Sequence, residues 1–152
     1  MIIISANAKK ISTPEVIPLR HRLLKPHLAI EQCILPEDDL KTTFHIGIFY
    51  FENLVSVATF MMQPHSHFSA GFPYRLRGMA TVEKYRGQGF GAMGLQHGIL
   101  ILKQMNCDFL WFNARIKAIG FYEKLGFQIS GPDFEIPGIG PHKVMYKPLF
   151  PR

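Results

Sequence analysis

Cysteine is scarce in this sequence, and long apolar runs are absent. Only two cysteines, Cys33 and Cys107, occur among its 152 residues, too few and too unpatterned for a disulfide framework. No apolar run approaches the roughly 20 residues that a membrane-spanning helix requires. Residues 1–5 are apolar but lack the basic segment and the length of a secretion signal. These absences predict a cytoplasmic protein that does not interact with membranes.

Acidic residues are also few, so the chain carries a net positive charge. Asp and Glu number 11 against 17 Lys and Arg, which gives a formal charge of +6. This balance favours a polyanionic ligand, but the cations are scattered and form no stripe, so no binding to nucleic acid is expected. With 47% apolar and 18% charged residues, the composition excludes disorder and predicts a single domain over residues 1–152.

Glycine is concentrated in one turn that follows an apolar strand ending at Val82. The turn also carries two cations, Lys84 and Arg86. Its three glycines are Gly87, Gly89 and Gly91. Because an amphipathic helix follows, the free N–H groups of its first turn and the positive end of its dipole face this segment. Glycines let a bulky oxyanion approach the backbone, so the turn predicts a phosphate or pyrophosphate site.

The same residues allow a second interpretation as a dinucleotide-binding turn. Residues 89–94 fit the pattern G-x-G-x-x-G letter for letter. Dinucleotide folds place that motif in their first strand–helix unit, with an acidic residue closing the next strand. Here the motif lies mid-chain, and the next predicted strand closes with Asn113. A nicotinamide-dependent oxidoreductase is therefore the less favoured alternative.

The predicted elements alternate between strands and helices, as in α/β proteins. In chain order they are a strand at 1–5, a helix from 13 up to Pro26, strands at 43–51 and 54–62 joined by a turn at Glu52 and Asn53, a strand at 74–83, a helix at 89–104, a strand at 107–113, a helix at 114–125 that Gly126 ends, and strands at 127–136, interrupted at Gly131, and 142–149. Thr13 is the predicted N-cap of the first helix. One face of that helix is apolar. The opposite face carries Arg20, Arg22 and Lys25, which we expect to be solvated.

Four histidines draw attention because histidine serves both as a metal ligand and as a catalyst. His45 faces away from the apolar side of its strand and is predicted to be a hydrogen-bonded structural residue. His65 and His67 have chelating spacing, but no cysteine or acid lies nearby to complete a metal site. His97 lies within the apolar stripe of the helix at 89–104 and is predicted to be buried. No metal is expected.

Two segments together resemble the GNAT N-acetyltransferases. Arg86-x-x-Gly89-x-Gly91 after a strand matches that family's acetyl-CoA pyrophosphate loop. The segment from Asn113 through Tyr122 to Phe127 matches its second cofactor segment, in the right order along the chain. The Gly-Ile-Gly-Pro-His tail at 138–142 is similar to that of a small, uncharacterised bacterial subgroup. The resemblance implies an α/β GNAT fold, a mixed twisted sheet of six to seven strands, splayed between strands 4 and 5 and flanked by about four helices.

The resemblance also implies chemistry and site residues. It implies direct transfer of an acetyl group from acetyl-CoA, as cosubstrate, to a primary amine, with Tyr122 as general acid for the CoA thiolate. The residues expected to bind the cofactor are Ala80, Thr81, Val82, Arg86, Gly87, Gln88, Gly89, Phe90, Gly91, Ala92, Asn113 and Phe121. Candidates for the base that accepts the amine proton are Glu135, His142, Glu83 and water. An acyl-CoA-binding domain without activity is the alternative.

The partners that the sequence predicts are acetyl-CoA and an amine-bearing acceptor, whose identity no motif specifies. The oligomeric state stays open, although edge strands in small folds of this kind often pair into homodimers.

Overall fold

Seven strands and three α-helices occur within residues 5–150, the part of the chain that this computed structural model describes. The strands are β1 Ala6–Ile11, β2 Phe44–Tyr50, β3 Asn53–Met62, β4 Pro73–Thr81, β5 Phe109–Arg115, β6 Gln128–Ile136 and β7 Gly140–Pro148. The α-helices are α1 Thr13–Leu24, α2 Phe90–Gln104 and α3 Ile119–Lys124, and short 3-10 helices span Ile30–Cys33, Glu83–Tyr85 and Ile116–Ala118. The strand predicted at 1–5 lies, apart from Ser5, outside the described residues.

The strands form one mixed sheet in the order β1-β2-β3-β4-β5-β7-β6. The β4–β5 pair is parallel, and the pairs β1–β2, β2–β3, β5–β7 and β6–β7 are antiparallel. This confirms the predicted α/β class with a mixed sheet. The parallel register spans three residue pairs, from Pro73 with Phe109 to Arg75 with Trp111.

The described residues group into two units. Unit 1 comprises residues 5–62 and 76–102, and unit 2 comprises residues 63–75 and 103–150. Within residues 5–150, no helix combines the length and the apolar character needed to cross a membrane.

In unit 1, the N-cap of α1 lies one residue earlier than predicted. Ser12, not Thr13, is the N-cap, because its Oγ accepts from the Glu15 N–H at 3.3 Å while the Ser12 N–H donates to Glu15 Oε1 at 2.8 Å. This reciprocal pair is a capping box. The helix ends at Leu24, ahead of Pro26, since the residue before a proline disfavours helical geometry.

The β2–β3 hairpin also turns one residue earlier than predicted. Phe51 and Glu52 form the turn with φ of +48° and +69°, and Tyr50 pairs with Asn53. A two-residue turn of type I′ requires positive φ at both central positions, which matches the right-handed twist of the strands. The prediction of Glu52 and Asn53 as turn residues was therefore wrong by one position.

Helix α2 packs closely on the sheet through small residues. A Cβ at Gly98 would overlap the Phe60 ring, and one at Gly94 would lie 3.5 Å from an Ile48 side-chain carbon. The buried residues of the helix are Phe90, Gly94, Leu95, Gly98 and Leu102. His97 is only half-buried, so its predicted burial was wrong. The residue of α2 that faces the sheet at this level is Gly98, which packs against Phe60.

In unit 2, β5 is buried on both faces, which agrees with the nearly continuous apolar run of its sequence. It starts at Phe109 and runs to Arg115, so α3 is shorter than the helix predicted at 114–125. Gly126, with φ of +92°, follows the helix and confirms the predicted C-terminal cap. The predicted interruption of β6 is also confirmed, because its register with β7 shifts between Ser130 and Phe134.

Candidate functional site

The glycine turn of unit 1 is open. Gly87 and Gly89 have φ of +78° and +89°, a conformation that side-chain-bearing residues rarely adopt. Apart from the glycine itself and its two chain neighbours, no residue has a heavy atom within 4 Å of the position that a Cβ would take at either site. The turn therefore leaves unfilled space against its backbone, directly before α2.

The start of α2 supplies positive potential to that space. Its first turn contains no acidic residue, and the N–H groups of a first helical turn have no acceptor within the helix. Phe90 offers only its backbone to this space, because its side chain is buried. Its ring centroid lies 5.2 Å from that of Tyr50 and 6.2 Å from that of Tyr85. The arrangement suits an anion that approaches from solvent.

Arg86 and Gln88 are exposed and fold back on the preceding residues. Arg86 Nε donates to the carbonyl of Thr81 at 3.1 Å, and Gln88 Nε2 lies 3.5 Å from the carbonyl of Lys84. The hydrogen bond from Nε holds the Arg86 guanidinium group beside the turn. Its other N–H groups remain exposed and can donate to an anion.

The backbone at the end of β4 is partly engaged within unit 1. The Val82 N–H donates to the carbonyl of Val55 at 2.8 Å, and the Val82 carbonyl accepts from the Tyr85 N–H at 2.9 Å. Backbone groups of successive strand residues point to opposite edges of the strand. The Thr81 N–H therefore faces the edge opposite to the one that pairs with β3.

Side chains of β3 and β4 brace this strand end. Ser56 Oγ donates to the carbonyl of Ala80 at 3.2 Å and lies 2.9 Å from Thr81 Oγ1. Ser56 is buried, and Ala80 is 9% exposed. The predicted cofactor residues 80–82 and 86–92 thus all lie in unit 1, on one continuous stretch of chain.

The other predicted site residues, Asn113, Phe121 and Tyr122, lie in unit 2. Tyr122 is half-buried on α3, with its ring 4.4 Å from that of Phe112 and 6.2 Å from that of Phe127. Burial raises the pKa of Tyr122 to about 12. Its phenol is therefore protonated at neutral pH, which is the state that a proton donor requires.

Asn113 lines a cleft of about 390 Å³ in unit 2. One wall is the Trp111 ring, with the Arg75 guanidinium 4.7 Å from its centroid and the His65 ring at 4.7 Å. Trp111 Nε1 donates to the carbonyl of Gln63 at 2.9 Å, which fixes the ring. Trp111 itself is buried, with 4% of its surface exposed.

The three candidate bases differ in environment. Glu83 in unit 1 and Glu135 in unit 2 are exposed. His142 in unit 2 is 4% exposed, and its Nδ1 donates to the carbonyl of Gly140 at 2.8 Å. Because a carbonyl can only accept, Nε2 is the atom of a neutral His142 that can take a proton.

A buried ion pair in unit 1 overturns one prediction. Arg20, expected on a solvated face, is 4% exposed and forms a bidentate pair with Asp38 at 2.8 and 2.9 Å. It also donates to the carbonyl of Cys33 at 2.9 Å and to Thr59 Oγ1 at 2.8 Å. The available signal was spacing, because Arg20 follows the buried Val16 by four residues and so shares its helix face.

His45 belongs to the same network, as predicted for a hydrogen-bonded structural residue. It is 4% exposed, with Nδ1 2.8 Å from Thr59 Oγ1 and Nε2 3.2 Å from the carbonyl of Asp38. The carbonyl requires a proton on Nε2, so Nδ1 accepts from the threonine. Burial lowers the pKa of His45, which favours this neutral form.

His65 and His67 contact each other in unit 2, with ring centroids 4.7 Å apart. Within residues 5–150, no three His, Cys, Asp or Glu side chains are grouped so as to hold a metal ion.

Comparison with known proteins gives a family and close relatives. The sequence model of the Acetyltransferase (GNAT) family matches residues 16–127. An uncharacterised N-acetyltransferase, YitI of Bacillus subtilis (strain 168), is 44% identical over 141 residues, which cover 93% of this chain and 95% of that protein. The similarity therefore extends over nearly the whole of both chains.

Solved structures share the fold at low sequence identity. Escherichia coli ElaA superposes with a TM-score of 0.75 at 18% identity, covering 93% of this chain and 99% of ElaA. An aminoglycoside 6'-N-acetyltransferase complexed with coenzyme A superposes with a TM-score of 0.75 at 14% identity, covering 96% and 98% of the two chains. At such identities the likeness extends to the fold alone.

Proposed function

This chain belongs to the GNAT acetyltransferase family, and on that premise we propose that it transfers an acetyl group from acetyl-CoA to a primary amine. The observation that carries the proposal is the open glycine turn before α2. Apart from their own chain neighbours, no residue lies within 4 Å of the Cβ positions of Gly87 and Gly89. This turn matches the family's pyrophosphate loop residue by residue at Arg86, Gly89 and Gly91.

The diphosphate of acetyl-CoA binds the backbone N–H groups at 87–92 in this proposal. The dipole of α2 and the exposed N–H groups of Arg86 stabilise its negative charge. Gln88, Phe90, Gly91 and Ala92 contribute backbone groups. Asn113 and Phe121 contact other parts of the cofactor, as the family resemblance implies.

The pantetheine arm of acetyl-CoA, which carries the thioester, binds the end of β4 in this proposal. Both backbone groups of Val82 already have partners in unit 1, at Val55 and Tyr85. The proposal therefore assigns the main contact to Thr81, whose N–H faces the other edge of the strand. Ala80 and Val82 flank that contact, and the thioester carbonyl lies close to Ala80.

The reaction is a direct transfer. The amine nitrogen forms a bond to the thioester carbonyl carbon, the carbon–sulfur bond breaks, and sulfur leaves with its electron pair. The attacking nitrogen loses a proton to Glu135, His142, Glu83 or water. Tyr122 donates its phenol proton to the leaving thiolate and is reprotonated from solvent. Neither cysteine is used as a nucleophile, since Cys33 and Cys107 are both buried.

The test of this function is calorimetric titration with acetyl-CoA of the unmodified protein and of Gly89→Glu. The new carboxylate would occupy the phosphate position and repel the diphosphate, so we expect no measurable binding by the variant. Gly138→Glu is the matched control, because Gly138 also has positive φ, +80°, and open space at its Cβ. Retained affinity in Gly89→Glu would contradict the loop assignment.

A further inference from the structure

A small cleft in unit 1 lies immediately before the strand end that we assign to the thioester. It measures about 90 Å³ and is bordered by the end of α1, the 3-10 segment at 30–33 and β4. The residues of β4 that line it are Arg77 and Gly78, three and two positions before Ala80. At about 3.3 Å per strand residue, Gly78 and Ala80 are separated by about 7 Å.

The cleft is cationic. Arg77 and Lys25 line it, both half-buried. Within residues 5–150, neither side chain forms an ion pair at 4 Å or less, and neither donates a side-chain hydrogen bond. Burial lowers the pKa of Arg77, while the carboxylates of Glu37 and Asp38 oppose that shift, and a guanidinium stays charged at any physiological pH. Glu37 and Asp38 act on Arg77 through space, but among the described residues neither accepts a hydrogen bond from it, so its N–H groups can donate to a ligand.

Arg20 also lines the cleft and is held in place by its hydrogen bonds. Its Nη atoms are occupied by Asp38, Thr59 and the Cys33 carbonyl. Its Nε is buried and has no hydrogen-bond partner. A Cβ at Gly78 would lie 3.1 Å from that Nε. Because residue 78 is a glycine, no side chain at this position crowds the Nε–H of Arg20.

We propose that this cleft binds a carboxylate of the acceptor, and that the acceptor is a free amino acid whose amine lies within a short chain of that carboxylate. The inference rests on the proposed acetyl transfer and names its substrate class. Arg77 and Lys25 bind the carboxylate, Leu24 and Leu35 line the cleft with apolar surface, and the amine reaches toward Ala80.

The size and charge of the cleft separate this class from others. A volume of about 90 Å³ holds a carboxylate and a few carbons, but not a sugar ring system. Polyamines and aminoglycosides carry several positive charges, and Arg77 and Lys25 would repel them. An amino acid with its carboxylate between these two cations satisfies both groups.

The test compares acceptors whose carboxylate is either free or converted to a neutral amide. The unmodified protein is assayed for acetyl-CoA-dependent release of CoA with free L-amino acids and with their C-terminal amides. We expect a kcat/KM for the acids about tenfold to a hundredfold above that for the amides. Amides that equal the acids, or no turnover with any free amino acid while acetyl-CoA binds, would overturn the inference.

Variants locate the effect in the cleft. We expect Arg77→Gln to raise the KM for the best acid about tenfold to a hundredfold, to leave the KM for acetyl-CoA unchanged, and to abolish the preference for acids over amides. Arg77→Lys keeps the charge and should retain part of that preference, which separates charge loss from misfolding. Arg22→Gln removes the same charge from the exposed face of α1 and should change nothing.

Two failures are distinguishable in these experiments. A preference for acids that survives Arg77→Gln contradicts the carboxylate site but leaves acetyl transfer intact. Failure of the unmodified protein to bind acetyl-CoA in calorimetry contradicts the proposed function itself.

Discussion

Single residues account for the proton transfers that the proposed reaction requires. Tyr122 packs against Phe112 and Phe127, and burial raises its pKa to about 12. The phenol is thus fully protonated across the pH range in which proteins are assayed. His142, by contrast, is held by the Gly140 carbonyl through Nδ1, so only its Nε2 can accept a proton.

Tyr122→Phe removes the proposed general acid and keeps the ring packing. We expect kcat to fall about a hundredfold, the usual contribution of a positioned proton donor, with little change in the affinity for acetyl-CoA. Tyr146→Phe removes a hydroxyl that donates to Gln128 elsewhere in unit 2 and is the control. Equal and small effects of Tyr122→Phe on turnover and affinity would favour a non-catalytic acyl-CoA-binding domain.

The pH dependence of kcat offers a second readout for Tyr122. The donor acts in its protonated form, so its contribution is complete below the folded-state pKa of about 12 and is lost only as the pH rises through that value. We expect no loss of rate from tyrosine ionisation up to about pH 10, the ordinary tyrosine pKa. An alkaline limb near pH 10 that disappears in Tyr122→Phe would contradict the burial argument.

At the scale of elements, a buried ion pair ties α1 to the segment before β2. Burial alone would raise the pKa of Asp38, but hydrogen bonds from Arg20 and the Leu35 N–H outweigh it and hold that pKa below its usual value. A depressed carboxyl pKa stabilises the folded state above the unfolded-state pKa of about 3.9. This stabilisation is lost as the pH falls through the folded-state pKa.

Asp38→Asn leaves the Arg20 charge buried without a counter-ion. We expect the free energy of unfolding at neutral pH to fall by about 3 kcal/mol or more, measured by urea denaturation. Asp39→Asn removes the same charge from the adjacent, exposed position and should shift the midpoint little. A loss that persists undiminished at a pH below both carboxyl pKa values would contradict the ion-pair explanation.

Elements whose geometry is set locally could be predicted from the sequence. The glycine turn, the start of α2 within one residue and the cap at Gly126 follow from backbone requirements that neighbouring residues specify. Burial of β5 on both faces followed from its continuous apolar run. Such features need no knowledge of distant segments.

Features that depend on distant partners could not be predicted in the same way. The spacing from Val16 places Arg20 on the buried face of α1, but its partner Asp38 lies 18 residues away, and no local pattern reveals that pairing. The length of β5 depends on pairing with β7, which runs to Arg115 opposite His142 and displaces the start of α3. The cationic cleft at Arg77 likewise combines residues from α1, the 30–33 segment and β4.

At the scale of the whole molecule, the charge balance agrees with the proposed donor. The formal charge of +6 attracts a polyanion such as acetyl-CoA over distances comparable to the Debye length, about 10 Å at moderate salt. The GNAT family, whose sequence model matches residues 16–127, uses acetyl-CoA as its acetyl donor. The charge and the glycine turn thus favour the same ligand, one through the long-range field and the other through local contacts.

The phosphate site at 87–92 is tested by calorimetric titration of the unmodified protein with acetyl-CoA and, in parallel, with acetylpantetheine. The second compound carries the same thioester but lacks the diphosphate and the phosphorylated adenosine. If the backbone cradle at 87–92 supplies the main binding energy, acetyl-CoA should bind about a hundredfold more tightly or better. Equal affinities for the two compounds, or binding of NAD in place of acetyl-CoA, would contradict it.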